Sequence, residues 1–184
     1  MPKVDLSKFN SDDGLHRGRS KLIEIIWYLA KMMFFLSSFP WPYRVKIFIL
    51  RMFGAKCGKR VIIKPRVNIH FPWKLKISDD VWIGEEVFIL NFEQVTIEDN
   101  VCISQRAFLC GGNHDYRDIS FKYLNGPIKI ESGSWVGAQS FIGPNVILRK
   151  GCVVVAGSIV SKEMPADMVC GGNPCKPLKS RWKE

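Results

Sequence analysis

Histidine is scarce in this chain, with three in 184 residues, at positions 16, 70 and 114. The six cysteines (57, 102, 110, 152, 170 and 175) form no CxxC pair, so the ligand spacing of a structural zinc site is absent and a disulfide framework is not indicated. No cleavable signal peptide is expected at the start, and the cysteines read as small core residues of a protein kept in a reducing, intracellular compartment. Acidic residues are also in deficit, 17 against 27 Lys and Arg, but the excess is uneven. Residues 1–60 carry 12 Lys or Arg against 4 Asp or Glu, whereas residues 61–160 are balanced at 10 each. No basic stripe with interleaved aromatics crosses that neutral middle, which argues against nucleic acid as a partner. Long apolar runs are missing too. The best candidate, residues 22–39, contains Glu24 and Lys31 and makes a poor membrane span.

What is present is a period. With 47% hydrophobic residues and a mean hydropathy of +0.01, the chain suits one packed domain. Through its middle, aliphatic residues recur every six positions: Ile77, Ile83, Ile89, Ile97, Ile103, Leu109, and again from Ile130 to Val160, with Cys57, Ile63 and Ile69 extending the series backwards. Four places after most of them stands a smaller residue, such as Val81, Ala107, Ser134 or Ser140. The positions between hold turn formers, as in "IGEE", "IEDN", "VGAQ" and "IGPN". One large and one small inward position in every six residues predicts a parallel β-helix of short strands and turns. Coil starts fall at 57, 77, 97, 130 and 148, against about 18 residues for a triangular coil. Two coils therefore carry two extra residues, and one carries a real insertion, "CGGNHDYRDISFKYLNGPIK", residues 110–129. His114 lies on that insertion, where core packing requires no histidine. His16 falls in a polar arm expected to be mobile, and His70 at a turn.

The predicted organisation is an arm and helical segment over 1–54, a β-helix of about five coils over 55–165 with the loop at 110–129, and a basic C-terminal tail over 166–184. Within the first part, residues 22–39 read as an apolar helix broken at Pro40-Trp41-Pro42, followed by a second helical stretch over 43–54 that ends on Gly54. Two roles stand open for these helices: a cap on the open end of the prism, or an interfacial anchor with basic residues near anionic lipid.

The hexapeptide series, the "NHDY" insertion, the following "SWVGAQSFIGPNVILRKGCVVVAGSIVSKEMP" and the closing "GNPCKPL" resemble the left-handed β-helix acyltransferases, and within them the sugar O-acetyltransferases of colanic acid and other polysaccharide biosynthesis. The resemblance covers roughly residues 55–180. It implies an all-β fold, with a left-handed parallel β-helix; the spacing itself carries no handedness. It also implies acetyl-CoA as co-substrate with no metal, a sugar or glycan-precursor acceptor, and a homotrimer in the cytoplasm. Peripheral contact with anionic lipid at the inner face of the membrane is the open alternative to a soluble life.

The resemblance assigns roles by position. His114 matches the general base that takes the proton of the acceptor hydroxyl, a task suited to imidazole at neutral pH. Asn113 and Asp115 flank it and either orient the ring or the sugar, or cap the loop. Asn91 matches a polar acceptor-binding position. Trp135 matches a tryptophan beside the donor channel, although a tryptophan at that outward position could equally cover a neighbouring subunit. Ala138, Ala156, Gly157, Ser161 and Lys162 match positions along the pantetheine arm and nucleotide, and Lys176 and Lys179 match basic positions facing the CoA phosphates, which without the resemblance read as a solvated tail. Two other functions are kept: a non-catalytic assembly module, and a metalloenzyme resembling the γ-type carbonic anhydrases, which needs three converging histidines.

Overall fold

The computed structural model describes residues 3–182. Three parallel sheets form the sides of a prism. The first sheet joins Lys56–Cys57, Leu75–Ile77, Val95–Ile97, Ile128–Ile130 and Ile147–Leu148. The second joins Ile62–Ile63, Trp82–Ile83, Cys102–Ile103, Trp135–Val136, Val153–Val154 and Met168–Gly171. The third joins Asn68–Ile69, Phe88–Leu90, Phe108–Cys110, Phe141–Ile142 and Ile159–Val160. The chain visits the three in turn, completing five coils and beginning a sixth. Register follows the spacing: Lys76 pairs with Lys56, Val95 with Leu75, Ile128 with Val95 and Ile147 with Lys129.

The six-residue period is realised as columns. Ile63, Ile69, Ile83, Ile89, Ile97 and Ile103 have no exposed surface, and each contributes about 1.5–3 kcal/mol through burial. The small positions Val81, Val87, Val101, Ala107, Val146 and Cys152 are also buried. Where that position is serine, a backbone carbonyl satisfies the hydroxyl: Ser134 and Ser140 donate to Arg149 O and Val155 O at 3.0 and 3.1 Å. Each sharp corner needs one left-handed residue per coil. Arg60, Asp80 and Asn100 supply it between the first and second sheets, and Arg66, Glu86, Arg106 and Gln139 between the second and third. Five of these seven side chains are charged, and some pair along the corner, Arg60 with Asp80 at 2.5 Å and Arg106 with Glu86 at 2.8 Å.

The helices sit beneath the first coil. α1 spans Lys21–Phe34 and α2 spans Tyr43–Met52. Ser20 caps α1 by accepting from Ile23 N. Phe35 N and Leu36 N both donate to Lys31 O, at 3.0 and 2.9 Å, which closes α1 five residues before the predicted end. Between coils the backbone bonds run both ways, as Ile62 N donates to Val81 O and Asp80 N to Lys59 O, while some carbonyls of the first coil face the open end. One side chain per sheet answers them. Arg51 donates to Cys57 O and Gly58 O, at 2.8 and 3.0 Å, and Lys46 to Ile63 O and Lys64 O, at 3.2 and 2.9 Å. Trp27 Nε1 donates to Ile69 O and His70 O at 3.2 and 2.9 Å. The capping role is thus a matter of named bonds.

Two expectations need correction. Residues 168–180 are no loose tail: Met168–Gly171 extends the second sheet and Lys176–Ser180 pairs with it antiparallel. The N-terminal arm is packed as well. Leu15 is buried, Trp73 Nε1 donates to Arg17 O at 2.6 Å, and Lys74 Nζ bonds both His16 O and Phe92 O.

Candidate active site

The insertion leaves the prism at the corner between the third and first sheets. Gly111 N donates to Leu90 O and Gly126 N to Gly111 O, both at 2.9 Å, so its two ends are pinned together. Between them the chain doubles back: His114 bridges Tyr123, Asp115 N donates to Lys122 O at 2.9 Å and Leu124 N to Asn113 O at 2.8 Å. Gly112 packs closely here: a Cβ would stand 3.0 Å from the Phe92 ring, which would have to shift.

His114 is half-buried and held on several sides. Its ring stacks on Phe121 with centroids 4.3 Å apart and an 8° interplanar angle, and lies 4.7 Å from Tyr123. Nδ1 is 2.7 Å from the Phe121 carbonyl oxygen. A carbonyl only accepts, so neutral His114 carries its proton on Nδ1 and presents Nε2 as a bare lone pair. Phe121 adopts a left-handed conformation, φ 51°, uncommon for a bulky residue and of the order of 1–3 kcal/mol in cost. The loop's ladder of hydrogen bonds and Asp118, which takes Ser120 N at 2.8 Å, hold that turn. Asp118 sits at about 2, drawn down by its bonds from Ser120 and Lys122.

The arm adds a wall that sequence reasoning missed. Phe9 packs 5.6 Å from the His114 ring and edge-on to Tyr123 at 5.3 Å. Asp5 N donates to Ile119 O at 2.8 Å and Asn125 Nδ2 to Gly14 O at 3.1 Å, fastening the arm on both sides of Phe9. Gly14, at φ +78°, lies so close that a Cβ would be 2.8 Å from Tyr123 O. The one signal available in the sequence was an aromatic residue inside a polar arm.

Of the other predicted residues, Asn113 and Asp115 join His114. Asn113 Oδ1 accepts from His114 N at 2.9 Å, and Asp115 Oδ1 accepts from Arg117 N at 3.0 Å, so both cap the loop and each keeps a second polar atom for another partner. Asn91 does not join them. It is fully buried, its Oδ1 accepts from Phe71 N and its Nδ2 donates to Phe71 O and Lys74 O, so it holds the corner below the loop and cannot meet an acceptor. His70 is packed edge-to-face with Phe71 and Phe92 and is pushed down to about 4 by burial and the nearby Lys31 and Arg17, which keeps it neutral.

The predicted donor residues lie elsewhere. Ala138, Ala156 and Gly157 turn the corner between the second and third sheets, with Gly157 N donating to Ala138 O at 2.9 Å. Glu85, Glu86, Gln105, Arg106, Ala138 and Gln139 line a shallow trough at this corner, and in the last coil only Ala156 and Gly157 stand there, with open space beside Gly157. Trp135 is exposed on the second sheet, its Nε1 donating to Ser104 Oγ at 2.8 Å. Ser161 and Lys162 turn the same corner as His114, two coils further on, and Lys176 and Lys179 are exposed on the last strand.

No family model matches the chain. It is 37% identical over 177 residues to the Escherichia coli protein named "Putative colanic acid biosynthesis acetyltransferase WcaF", a match spanning 96% of this chain and 97% of that one. Galactoside O-acetyltransferase of Escherichia coli is 28% identical over 150 residues, 79% of this chain and 73% of the other. Among solved structures, the hexapeptide-repeat acetyltransferase VCA0836 of Vibrio cholerae superposes with a TM-score of 0.80 at 23% identity, covering 89% of this chain and 93% of that one. Another crystal structure of VCA0836 is complexed with acetyl coenzyme A. A galactoside acetyltransferase solved with coenzyme A gives a TM-score of 0.78 at 22% identity, over 87% of this chain and 81% of the other.

Proposed function

The chain belongs to the hexapeptide-repeat acetyltransferases, and from that premise we propose that it moves the acetyl group of acetyl-CoA to a hydroxyl of a sugar or glycan precursor, with His114 as general base. The observation that carries the reading is the 2.7 Å contact from His114 Nδ1 to the Phe121 carbonyl. It leaves the Nε2 lone pair to accept a hydroxyl proton. As that proton passes to Nε2, the acceptor oxygen attacks the thioester carbonyl carbon. The C–S bond then breaks, and the imidazolium returns the proton to the departing CoA thiolate. Phe9 and Tyr123 offer apolar faces beside the base, and the free atoms of Asn113 and Asp115 offer polar ones, a mixture that suits a sugar.

The donor runs along Trp135, Ala138, Ala156 and Gly157 towards Ser161, Lys162, Lys176 and Lys179, and backbone groups at the small residues admit the pantetheine arm. His114 and the Ala138–Gly157 trough stand at different corners of one chain. A homotrimer about a threefold axis, in which a neighbour's loop faces that trough, completes the site. The test is CoA release measured with a panel of sugars, nucleotide sugars and lipid-linked oligosaccharides, joined to a thermal-shift titration with desulfo-CoA. Release with at least one acceptor supports the reading. No stabilisation by desulfo-CoA and no release with any acceptor favours a non-catalytic assembly module.

A further inference from the structure

α1 is apolar on its outer side as well as on its inner one, where Ala30 and Phe34 pack against the core. Its inward side holds Glu24, bonded to Arg17 at 2.7 Å, together with the buried Trp27 and Lys31. Its outward side is Leu22, Ile25, Ile26, Leu29, Met32 and Met33, with Leu22 and Leu29 more than 60% exposed. Phe39 in the connection and Phe48 and Met52 on α2 are exposed as well. A solvated face of a surface helix is normally polar, and an apolar patch of this extent marks an interaction surface. Cations flank it. Lys21 opens α1, and the exposed Arg44 sits between two clefts beside α2, one lined with Lys64 and Trp41, the other with Arg51, Lys59 and Arg60.

We infer that this face docks the enzyme on an anionic phospholipid bilayer, α1 lying in the plane of the interface. Fourteen residues of helix measure about 21 Å against a hydrocarbon core of about 30 Å, and among the described residues no helix is long and apolar enough to cross a membrane. An in-plane helix with aliphatic residues on one side and lysine or arginine at its margin fits the boundary between acyl chains and headgroups. The choice of lipid over a second copy of the chain rests on charge. The 12 Lys or Arg in residues 1–60 against 4 Asp or Glu would repel the same region of another copy, whereas an anionic surface attracts it. The inference stands apart from the acyl-transfer reading, since it uses none of the residues placed at the site.

The test is co-sedimentation of the full chain with vesicles of phosphatidylcholine and phosphatidylglycerol, alongside vesicles of phosphatidylcholine alone. Binding to the anionic vesicles is expected at low salt, falling as salt shortens the Debye length. The double variant I25E/L29E is expected to partition at least ten-fold less. Both sites are exposed, so its circular dichroism and its CoA release with a soluble acceptor stay those of wild type. Arg44→Glu provides a milder second probe, acting on charge alone. Full recovery of wild type in the supernatant at low salt overturns the inference. So does equal binding to neutral vesicles, or a double variant that keeps its vesicle binding. If light scattering shows that I25E/L29E dissociates an assembly while wild type ignores vesicles, the face belongs to a second copy and the inference fails.

Discussion

Replacing His114 by Ala is the perturbation most closely tied to the site's geometry. The loop that carries it lies outside the buried columns, so the prism's core is untouched. The variant loses ring contacts with Phe121, Tyr123 and Phe9, each worth about 0.5–1.5 kcal/mol. The destabilisation therefore falls on the loop, and the main thermal transition should stay within a few degrees of wild type. Turnover behaves differently. Proton removal by a positioned base is worth about 10²–10⁴-fold, or about 3–5 kcal/mol of transition-state stabilisation at 1.36 kcal/mol per decade. The KM for acetyl-CoA should hardly move, because none of the residues proposed along the donor contacts His114. Phe121→Ala separates orientation from chemistry. It keeps the carbonyl that accepts the Nδ1–H hydrogen bond but removes the 4.3 Å stack, so kcat should fall only about two- to ten-fold. The assay is CoA release under saturating donor and acceptor. Turnover of His114→Ala within a few-fold of wild type would refute the base assignment, and a larger loss for Phe121→Ala than for His114→Ala would refute the orientation argument.

Phe9→Ala should raise the acceptor KM about three- to ten-fold while leaving the donor KM alone, read from initial rates with each substrate varied in turn. Lys176→Ala with Lys179→Ala should weaken acetyl-CoA binding and flatten its salt dependence; unchanged affinity by low-salt titration would return the strand to a solvated surface. Gly137→Ala should destabilise the fold by a few kcal/mol in urea unfolding, because its Cβ would meet the backbone nitrogen of Ala156 at 2.5 Å. Lys46 is held down to about 8 by burial, below an unfolded value of about 10.4, so between those values the unfolded chain holds more protons and stability should rise with pH by up to about 3 kcal/mol. Lys46→Met should abolish that rise while losing the cap on Ile63 O and Lys64 O, and a wild-type unfolding curve flat across pH 8–10 would contradict the argument.

The prism was legible because its code is redundant. Every coil repeats a large and a small inward position, so the turn chemistry at any one corner can deviate, as it does at Arg66, Glu86 and Arg106, without hiding the period. The insertion was legible as a break in the same count, and His114 by standing on it. Asn91 was misplaced for a reason of depth: it stands at the loop's corner one coil earlier, but the segment Phe71–Lys74 lies over its amide and uses both ends of it. Phe9 could not be found because its partner, the His114–Tyr123 face, is more than a hundred residues away and nothing periodic connects the two.

The helices show why hydropathy alone could not choose between a cap and an anchor. A helix read from its pattern is assumed to turn charge outward and apolar residues inward. Beneath an open coil that assumption fails, because what the prism end lacks is hydrogen-bond donors: Cys57, Ile63 and Ile69 present carbonyls that no further coil meets. Arg51, Lys46 and Trp27 meet them, and the helices turn these donors inward to do so. The donors are shared between the helices, Lys46 and Arg51 from α2 and Trp27 from α1, and α1 keeps Leu22, Ile25 and Leu29 on its outer side. The same two helices thus cap the open coil on their inner side and expose, on α1, the apolar face proposed above to meet lipid.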